Sequence, residues 1–190
     1  MGNFRAAMFN RRAGSPKSKP DEIIKVLSPE KGQKVVDIGV GGGYFALRFA
    51  GLVGEAGTVY GIDTDRNFLD NLQAMQDSHS GNIVTIQADG IRFPGGCRDC
   101  DLVFARNVYH HIQDRVRYFR DVRQALKPGG KVAIIDYEKG GSFSFHSLFG
   151  HNVPRDTIIS EMEEAGYGLH KEYDFLPEQN FLIFGTDKEN

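Results

Sequence analysis

The run Val35-Val36-Asp37-Ile38-Gly39-Val40-Gly41-Gly42-Gly43-Tyr44 constrains this chain more than any other. Val35, Val36 and Ile38 read as a buried strand carrying Asp37 near its end, and the glycines read as a turn that opens into a helix. Glycine has no Cβ and tolerates positive φ, so such a turn lets a ligand lie against backbone. A dinucleotide-binding fold asks for G-x-G-x-x-G, with its last glycine five residues after the first. Counted from Gly39, that place is held by Tyr44. The pattern present is D-x-G-x-G-x-G, with the acid two residues before the first glycine. A carboxylate there repels a pyrophosphate and suits a ligand with a cationic amino-acid end.

A chain of 190 residues fits one domain and is long enough to bury a core. The 23 basic and 25 acidic residues leave a net charge of −2, which gives no global sign of nucleic-acid binding. The charge is uneven, because Arg5, Arg11, Arg12, Lys17 and Lys19 all precede the first acid, Asp21. Residues 1–19 are therefore set apart as a basic N-terminal segment without clear periodicity, and 20–190 as the domain. The segment reads either as a solvated terminus or as a basic lid over an anionic substrate. No apolar run approaches the roughly 20 residues of a membrane span. Arg5, Arg11 and Arg12 interrupt any signal-peptide core, so a cytoplasmic protein is expected. Cys97 and Cys100 form a single C-x-x-C in a Pro-Gly-Gly loop. A structural zinc site needs four ligands and no second pair exists, so no metal is expected. The pair reads as incidental thiols or as a reversible disulfide.

Strand and helix patterns alternate along the chain. Helices are expected at Pro20–Leu27, Gly42–Leu52, Asp65–Ser78, Gln113–Leu126 and Arg155–Ala165. Strands are expected at Lys34–Ile38, Thr58–Ile62, Ile83–Gln87, Asp101–Ala105 and Lys131–Tyr137. Lys127-Pro128-Gly129-Gly130 stops the helix before the last of these. Gly140–Pro154 reads as a longer loop rich in phenylalanine and histidine. His170–Leu176 and Phe181–Thr186 close the chain as a hairpin around Pro177–Asn180. The alternation means an α/β fold: a single doubly wound, mostly parallel sheet with helices on both faces.

In such a sheet ligands bind beyond the carboxyl ends of the strands. Gly39, Gly41 and Gly43 follow the first strand. Asp63 ends the second, followed by Thr64; a carboxylate there accepts from both ribose hydroxyls. It lies 20 residues past Gly43, the interval of a ribose-binding acid. Asp89 follows the third strand, with Gly90 after it, and suits an adenine amine. Arg106 and Asn107 end the fourth. The recurrence over four strand ends carries more weight than any single match.

From Asp37 through Gly43, Asp63, Asp89, Asp101–Asn107 and Leu126–Val132, the chain resembles the class I S-adenosylmethionine-dependent methyltransferases. The likeness covers about residues 33–137. It implies a seven-stranded sheet of order 3-2-1-4-5-7-6 with strand 7 antiparallel, and S-adenosylmethionine as cofactor. It places Asp37, Gly39, Gly41, Gly43, Asp63, Asp89, Arg106 and Asn107 around that donor. Thr64 and Gly90 are counted with them, and Tyr44 stands where it can touch donor or acceptor.

Methyl transfer from a sulfonium is an in-line displacement, so it needs alignment, exclusion of water and, for a hydroxyl, thiol or protonated amine, one base. Tyr109-His110-His111 follows the fourth strand, and His110 or His111 is the candidate base. Packing or backbone hydrogen bonding is the competing role for each. Phe143, Phe145, His146, Phe149 and His151 read as an aromatic cover or as a loop pinned to the core. No Asn-Pro-Pro-Tyr or Asp-Pro-Pro-Tyr follows the fourth strand, and no second domain suggests a protein or DNA target. A small-molecule methyl acceptor is expected, with the protein monomeric or homodimeric. Two competing readings are a nonenzymatic S-adenosylmethionine-binding or partner protein and a nicotinamide-dependent oxidoreductase. Tyr44 and Asp37 disfavour the latter.

Overall fold

A computed structural model describes residues 2–76, 81–138 and 152–186. In chain order the elements are α1 (Gly2–Ala13), α2 (Pro20–Leu27), β1 (Lys34–Ile38), α3 (Tyr44–Val53), β2 (Thr58–Asp63), α4 (Arg66–Gln76), β3 (Ile83–Gln87) and β4 (Cys100–Arg106). Then come α5 (Arg115–Ala125), β5 (Leu126–Tyr137), α6 (Arg155–Glu164), β6 (Gly168–Tyr173) and β7 (Gln179–Gly185). Short 3₁₀ turns lie at Pro16–Ser18 and Tyr109–His111.

The seven strands form one sheet of order β3-β2-β1-β4-β5-β7-β6. Pairs among β1 to β5 are parallel, and β7 runs antiparallel to both of its neighbours. Side-chain alternation along the central strands splits the core in two. Val35, Leu102, Phe104, Ala133 and Ile135 face α2 and α3. Val36, Val103, Ala105, Val132 and Ile134 face α5 and α6. Strands covered on both faces read as continuous apolar runs, which is why Val132–Ile135 is apolar at every position and fully buried. The same alternation decides the site. Asp37 and Arg106 share the α3 face with Val35 and Phe104, whereas Asp136 shares the other face with Ile134.

Two expectations need correction. Residues 2–13 form a helix despite their weak periodicity. Tertiary contacts hold it rather than propensity: Ala6 is buried, Phe9 packs edge-on against Phe68 at 5.5 Å, and Asn10 Nδ2 donates to the Gly42 carbonyl at 2.8 Å. The Lys127–Gly130 turn lies inside β5 rather than before it. Cys100 pairs with Leu126 and Leu102 with Lys131, so these four residues bulge out of the ladder, with Gly129 at φ 75°. The expected aromatic loop at 140–154, with Phe143, Phe145, His146, Phe149 and His151, falls almost wholly outside the described residues. Among the described residues no helix is long and apolar enough to cross a membrane.

The glycine turn rests on an aromatic cluster. Phe104 is fully buried, with its ring 5.0 Å from Phe45 and 5.3 Å from Phe49 of α3. Phe104→Ala should cost about 3–5 kcal/mol of stability, the range for emptying a buried aromatic site. Urea unfolding at neutral pH measures this, and a loss below 1 kcal/mol would mean that α3 does not depend on this contact.

Candidate functional site

The carboxyl ends of β1 to β5, together with the start of β7, open into one cavity of about 1260 Å³. Gly90, Asp63, Gly39, Arg106, Tyr137 and Gln179 each line it from a different strand end or the loop after it. A pocket for one small ligand is usually about 300–1,000 Å³, so this space has room for more than one small molecule.

The glycine turn forms the floor. Gly39 has φ 71°, and a Cβ there would stand 2.7 Å from Val108 Cγ2. Gly43, at φ 89°, opens α3, and a Cβ would stand 2.8 Å from Leu72 Cδ1. Only glycine satisfies backbone and packing together at these two places. Asp63 holds the turn from the next strand. Its Oδ2 accepts from Gly41 N at 2.9 Å, and its Oδ1 accepts from Asp65 N at 3.0 Å. Each oxygen keeps a further lone pair for a ligand hydroxyl. Thr64 lines the cavity beside it.

Asp37 is 4% exposed and lines the same floor. Burial, and then the neighbouring Asp63, push its carboxyl up to about 8; an N–H from Ala46 in the first turn of α3 pulls the other way. Among the described residues no cation pairs with it. A buried acid of this kind favours the ionised form only when a cation arrives. Oxygens from Asp37 and Asp63 on a glycine floor therefore fit a ligand with an ammonium at one end and a ribose next to it.

Asp89 is placed differently. It is exposed, and its Oδ1 accepts from Ile91 N at 2.8 Å and Arg92 N at 3.0 Å, which holds its carboxyl below the usual range. Gly90 lines the cavity, and Asp89 is not among the lining residues. Tyr44 lines it from the start of α3, its hydroxyl accepting from Arg48 at 3.2 Å.

Arg106 and Asn107 lie at the β4 end. Asn107 adopts φ 55°, and its Oδ1 accepts from Gln179 Nε2. Gln179 Oε1 in turn accepts from Arg106 Nη2 at 3.2 Å. The Arg106 guanidinium stacks 5.1 Å over Phe45, and desolvation brings it down to about 10. In the sequence Gln179 is only part of a hairpin turn, with nothing local to mark it.

His110 and His111 both line the cavity, with rings 4.0 Å apart. His110 is 6% exposed, and its Nδ1 stands 2.7 Å from Oδ1 of Asp136, which is fully buried. Asp136 Oδ2 also accepts from His110 N at 3.0 Å. A carboxylate on Nδ1 fixes the tautomer with Nε2 as the basic nitrogen. His111 is exposed. The turn bearing both is anchored beneath, where Tyr109 is buried, donates to Glu161 at 2.7 Å, and shares it with a bidentate Arg115. Asp136 lies near the end of an apolar strand, much as Asp63 ends β2, and that position is the only sequence signal it carries.

Cys97 and Cys100 are buried and unbonded, and burial pushes their thiols up to about 11 and about 12. Both are protonated at neutral pH and are not nucleophiles. Among the described residues no cluster of His, Cys, Asp and Glu could hold a metal ion.

The Asp37 carboxyl gives a pH test. Its folded value of about 8 lies above the ordinary 3.8, so between these values the folded state holds a proton that the unfolded chain has lost. Stability of the ligand-free protein should fall as pH rises through this window, by up to about 1.4 kcal/mol per pH unit. Asp37→Asn should flatten that fall. Parallel thermal-melting profiles for the two proteins from pH 5 to 9 would show that Asp37 is not the group responsible.

The family described as methyltransferase domain matches residues 36–134. A 2-phytyl-1,4-naphtoquinone methyltransferase of Nostoc punctiforme is 28% identical over 151 residues, 76% of this chain and 66% of that protein. Phosphoethanolamine N-methyltransferase 2 of Caenorhabditis elegans is 34% identical over 125 residues, 63% of this chain and 28% of that protein. The chain thus spans less than two thirds of the length of either relative. A solved SAM-dependent methyltransferase from Aquifex aeolicus shares the fold with a TM-score of 0.80 at 17% identity, over 93% of this chain and 96% of its own. The cyclase SpnF shares it with a TM-score of 0.75 at 13% identity, over 91% and 81%.

Proposed function

We propose that this chain, which belongs to the methyltransferase domain family, binds S-adenosylmethionine in the cavity above its sheet and transfers the methyl group to a small molecule. The observation that carries the reading is Asp37: a buried carboxyl on the glycine floor, pushed up to about 8, with no cation of its own among the described residues. The donor supplies an electrophilic methyl carbon on a sulfonium. Asp37 receives its ammonium end. Gly39 and Gly41 allow its close approach to backbone, Gly43 starts α3 beneath it, Asp63 and Thr64 meet the ribose, and Gly90, rather than Asp89, flanks the adenine. Asn107 and Tyr44 border the methionine side.

On the acceptor side, His110 takes the proton that the acceptor gives up. Asp136 keeps Nδ1 protonated and steadies the imidazolium that results. His111, next to it and more exposed, borders the acceptor. The quinone and phosphoethanolamine relatives act on small molecules by their names, which supports a small-molecule acceptor here. A cytoplasmic location, a monomeric or homodimeric state and no role for nucleic acid belong to the same proposal.

Two outcomes test it. Asp63→Ala should weaken S-adenosylmethionine binding by about 1–3 kcal/mol, through lost charged hydrogen bonds, and an unchanged dissociation constant would remove Asp63 from the donor site. Methyl transfer from labelled S-adenosylmethionine across hydroxyl, thiol and amine acceptors should reveal turnover. His110→Ala should then slow it roughly a hundred- to ten-thousand-fold with donor affinity kept. Donor binding without transfer to any acceptor would favour a nonenzymatic binding protein, and full activity in both His110→Ala and Asp136→Asn would dismiss the base.

A further inference from the structure

Charge is segregated along the cavity. Its acidic floor, Asp37 and Asp63, lies over β1 and β2. Its basic part lies over β4, β5 and β7 and under the N-terminal segment, with Arg106, Arg12, Lys17 and Lys19 all lining it. The one other lining carboxylate is Glu178, which is exposed and forms no ion pair among the described residues.

Arg106 is the informative group. Its Nη2 has two neutral partners, the Ser18 carbonyl and Gln179 Oε1, each at 3.2 Å. Its Nε and Nη1 are buried and have no hydrogen-bond partner among the described residues. A guanidinium stays charged in proteins, and burying its N–H groups unpaired is costly. The Phe45 ring holds one face of the group, and Gln179, the first residue of β7, holds its Nη2; no ion pair joins it to Asp37 or Asp63 among the described residues. Arg12 reinforces the field: its Nη2 donates to the Tyr137 hydroxyl at 2.6 Å, and its charge further disfavours protonation of Arg106. Two arginines lining one cavity from α1 and β4 match a carboxylate or phosphate, whose oxygens accept several N–H groups at once.

We infer that the methyl acceptor carries an anionic group, a carboxylate or a phosphate, and that Arg106, assisted by Arg12, binds that group at the β4–β7 end of the cavity. The inference rests on the donor site proposed above. It moves Arg106 from the donor, where the family resemblance put it, to the acceptor. Arg106 and His110 are four residues apart at the same strand end, so an acceptor held by its anion has its remainder near His110. The basic N-terminal segment then acts as a lid rather than as a solvated terminus.

The competing source of the anion is the donor's own α-carboxylate, and calorimetry separates the two. S-adenosylhomocysteine is titrated into the native protein, Arg106→Gln and Arg106→Lys. Inorganic phosphate and succinate are then titrated into each protein saturated with S-adenosylhomocysteine. The expected result is S-adenosylhomocysteine affinity kept within about threefold in both variants. At least one anion should bind the saturated native protein in the millimolar range, at least tenfold more weakly in Arg106→Gln, with part of the loss restored in Arg106→Lys. The tighter anion tells phosphate from carboxylate. A tenfold or greater loss of S-adenosylhomocysteine affinity in Arg106→Gln would overturn the inference in favour of the donor's carboxylate. No anion binding to the saturated native protein, or equal binding to Arg106→Gln, would also overturn it. Arg12→Gln, on an exposed side chain, gives a second reading should Arg106→Gln fail to fold, and unchanged anion affinity there would count against the shared site. Absence of S-adenosylhomocysteine binding to the native protein would instead sink the donor site, and anion titration of the free native and variant proteins would then decide the Arg106 site by itself.

Discussion

A hydrogen bond between neighbouring strand ends sets the geometry of this site. Asp63, the last residue of β2, accepts from the Gly41 amide in the loop after β1 at 2.9 Å. It adds to the backbone bonds from Gly39 N and Val40 N to the Ile62 carbonyl in fixing a turn whose Gly39, Gly41 and Gly43 have positive φ. With the turn fixed, α3 starts where its Ala46 amide reaches back to Asp37, which is enclosed near Asp63. Burial, and then the charge of Asp63, make Asp37 hard to ionise, so the floor is poised for a cation. The glycine turn, the helix start and the perturbed acid are consequences of one arrangement.

The remaining parts are placed from outside the turn. Above it, α1 approaches so closely that a Cβ on Gly42 would overlap Asn10 and the Ala6 carbonyl oxygen. This brings Arg12 over Tyr137 at the end of β5, 5.7 Å from its ring. Beyond it, the Tyr109–Glu161–Arg115 network ties the His110 turn to α6, and Asp136 orients the imidazole. Buried polar networks of this kind are rigid when fully satisfied, which suits a group that must stay aligned with a reacting atom. The cavity thus has a floor that attracts a cation, a far end that attracts an anion, and a histidine at the strand end shared with Arg106.

Much of this was legible in the chain because it is local. Lys34–Ile38, Ile83–Gln87 and Pro20–Leu27 have the bounds that periodicity and end signals assign them. The glycine turn and Asp63 announce themselves by type and spacing. What was not legible depends on distant partners. Helix α1 has a poor pattern and exists through its packing on Phe68 and Gly42. Asp89 has the right position in sequence, yet the amides of Ile91 and Arg92 claim its carboxylate. Gln179 joins Arg106 to Asn107 only because an antiparallel hairpin returns beside β5. Asp136 stood in plain sight at the end of an apolar strand, but its value depends on His110, 26 residues earlier.

On the proposed function, the acidic glycine floor receives the cationic end of a sulfonium nucleoside and not a dinucleotide. Calorimetric titration of the native protein near pH 7 with S-adenosylhomocysteine and NAD, each in two buffers of different ionisation enthalpy, tests it most directly. The expected result is binding of S-adenosylhomocysteine in the micromolar range, with release of close to one proton as Asp37 ionises, and no binding of NAD. Tighter binding of NAD, or binding of S-adenosylhomocysteine with no proton released, would contradict it.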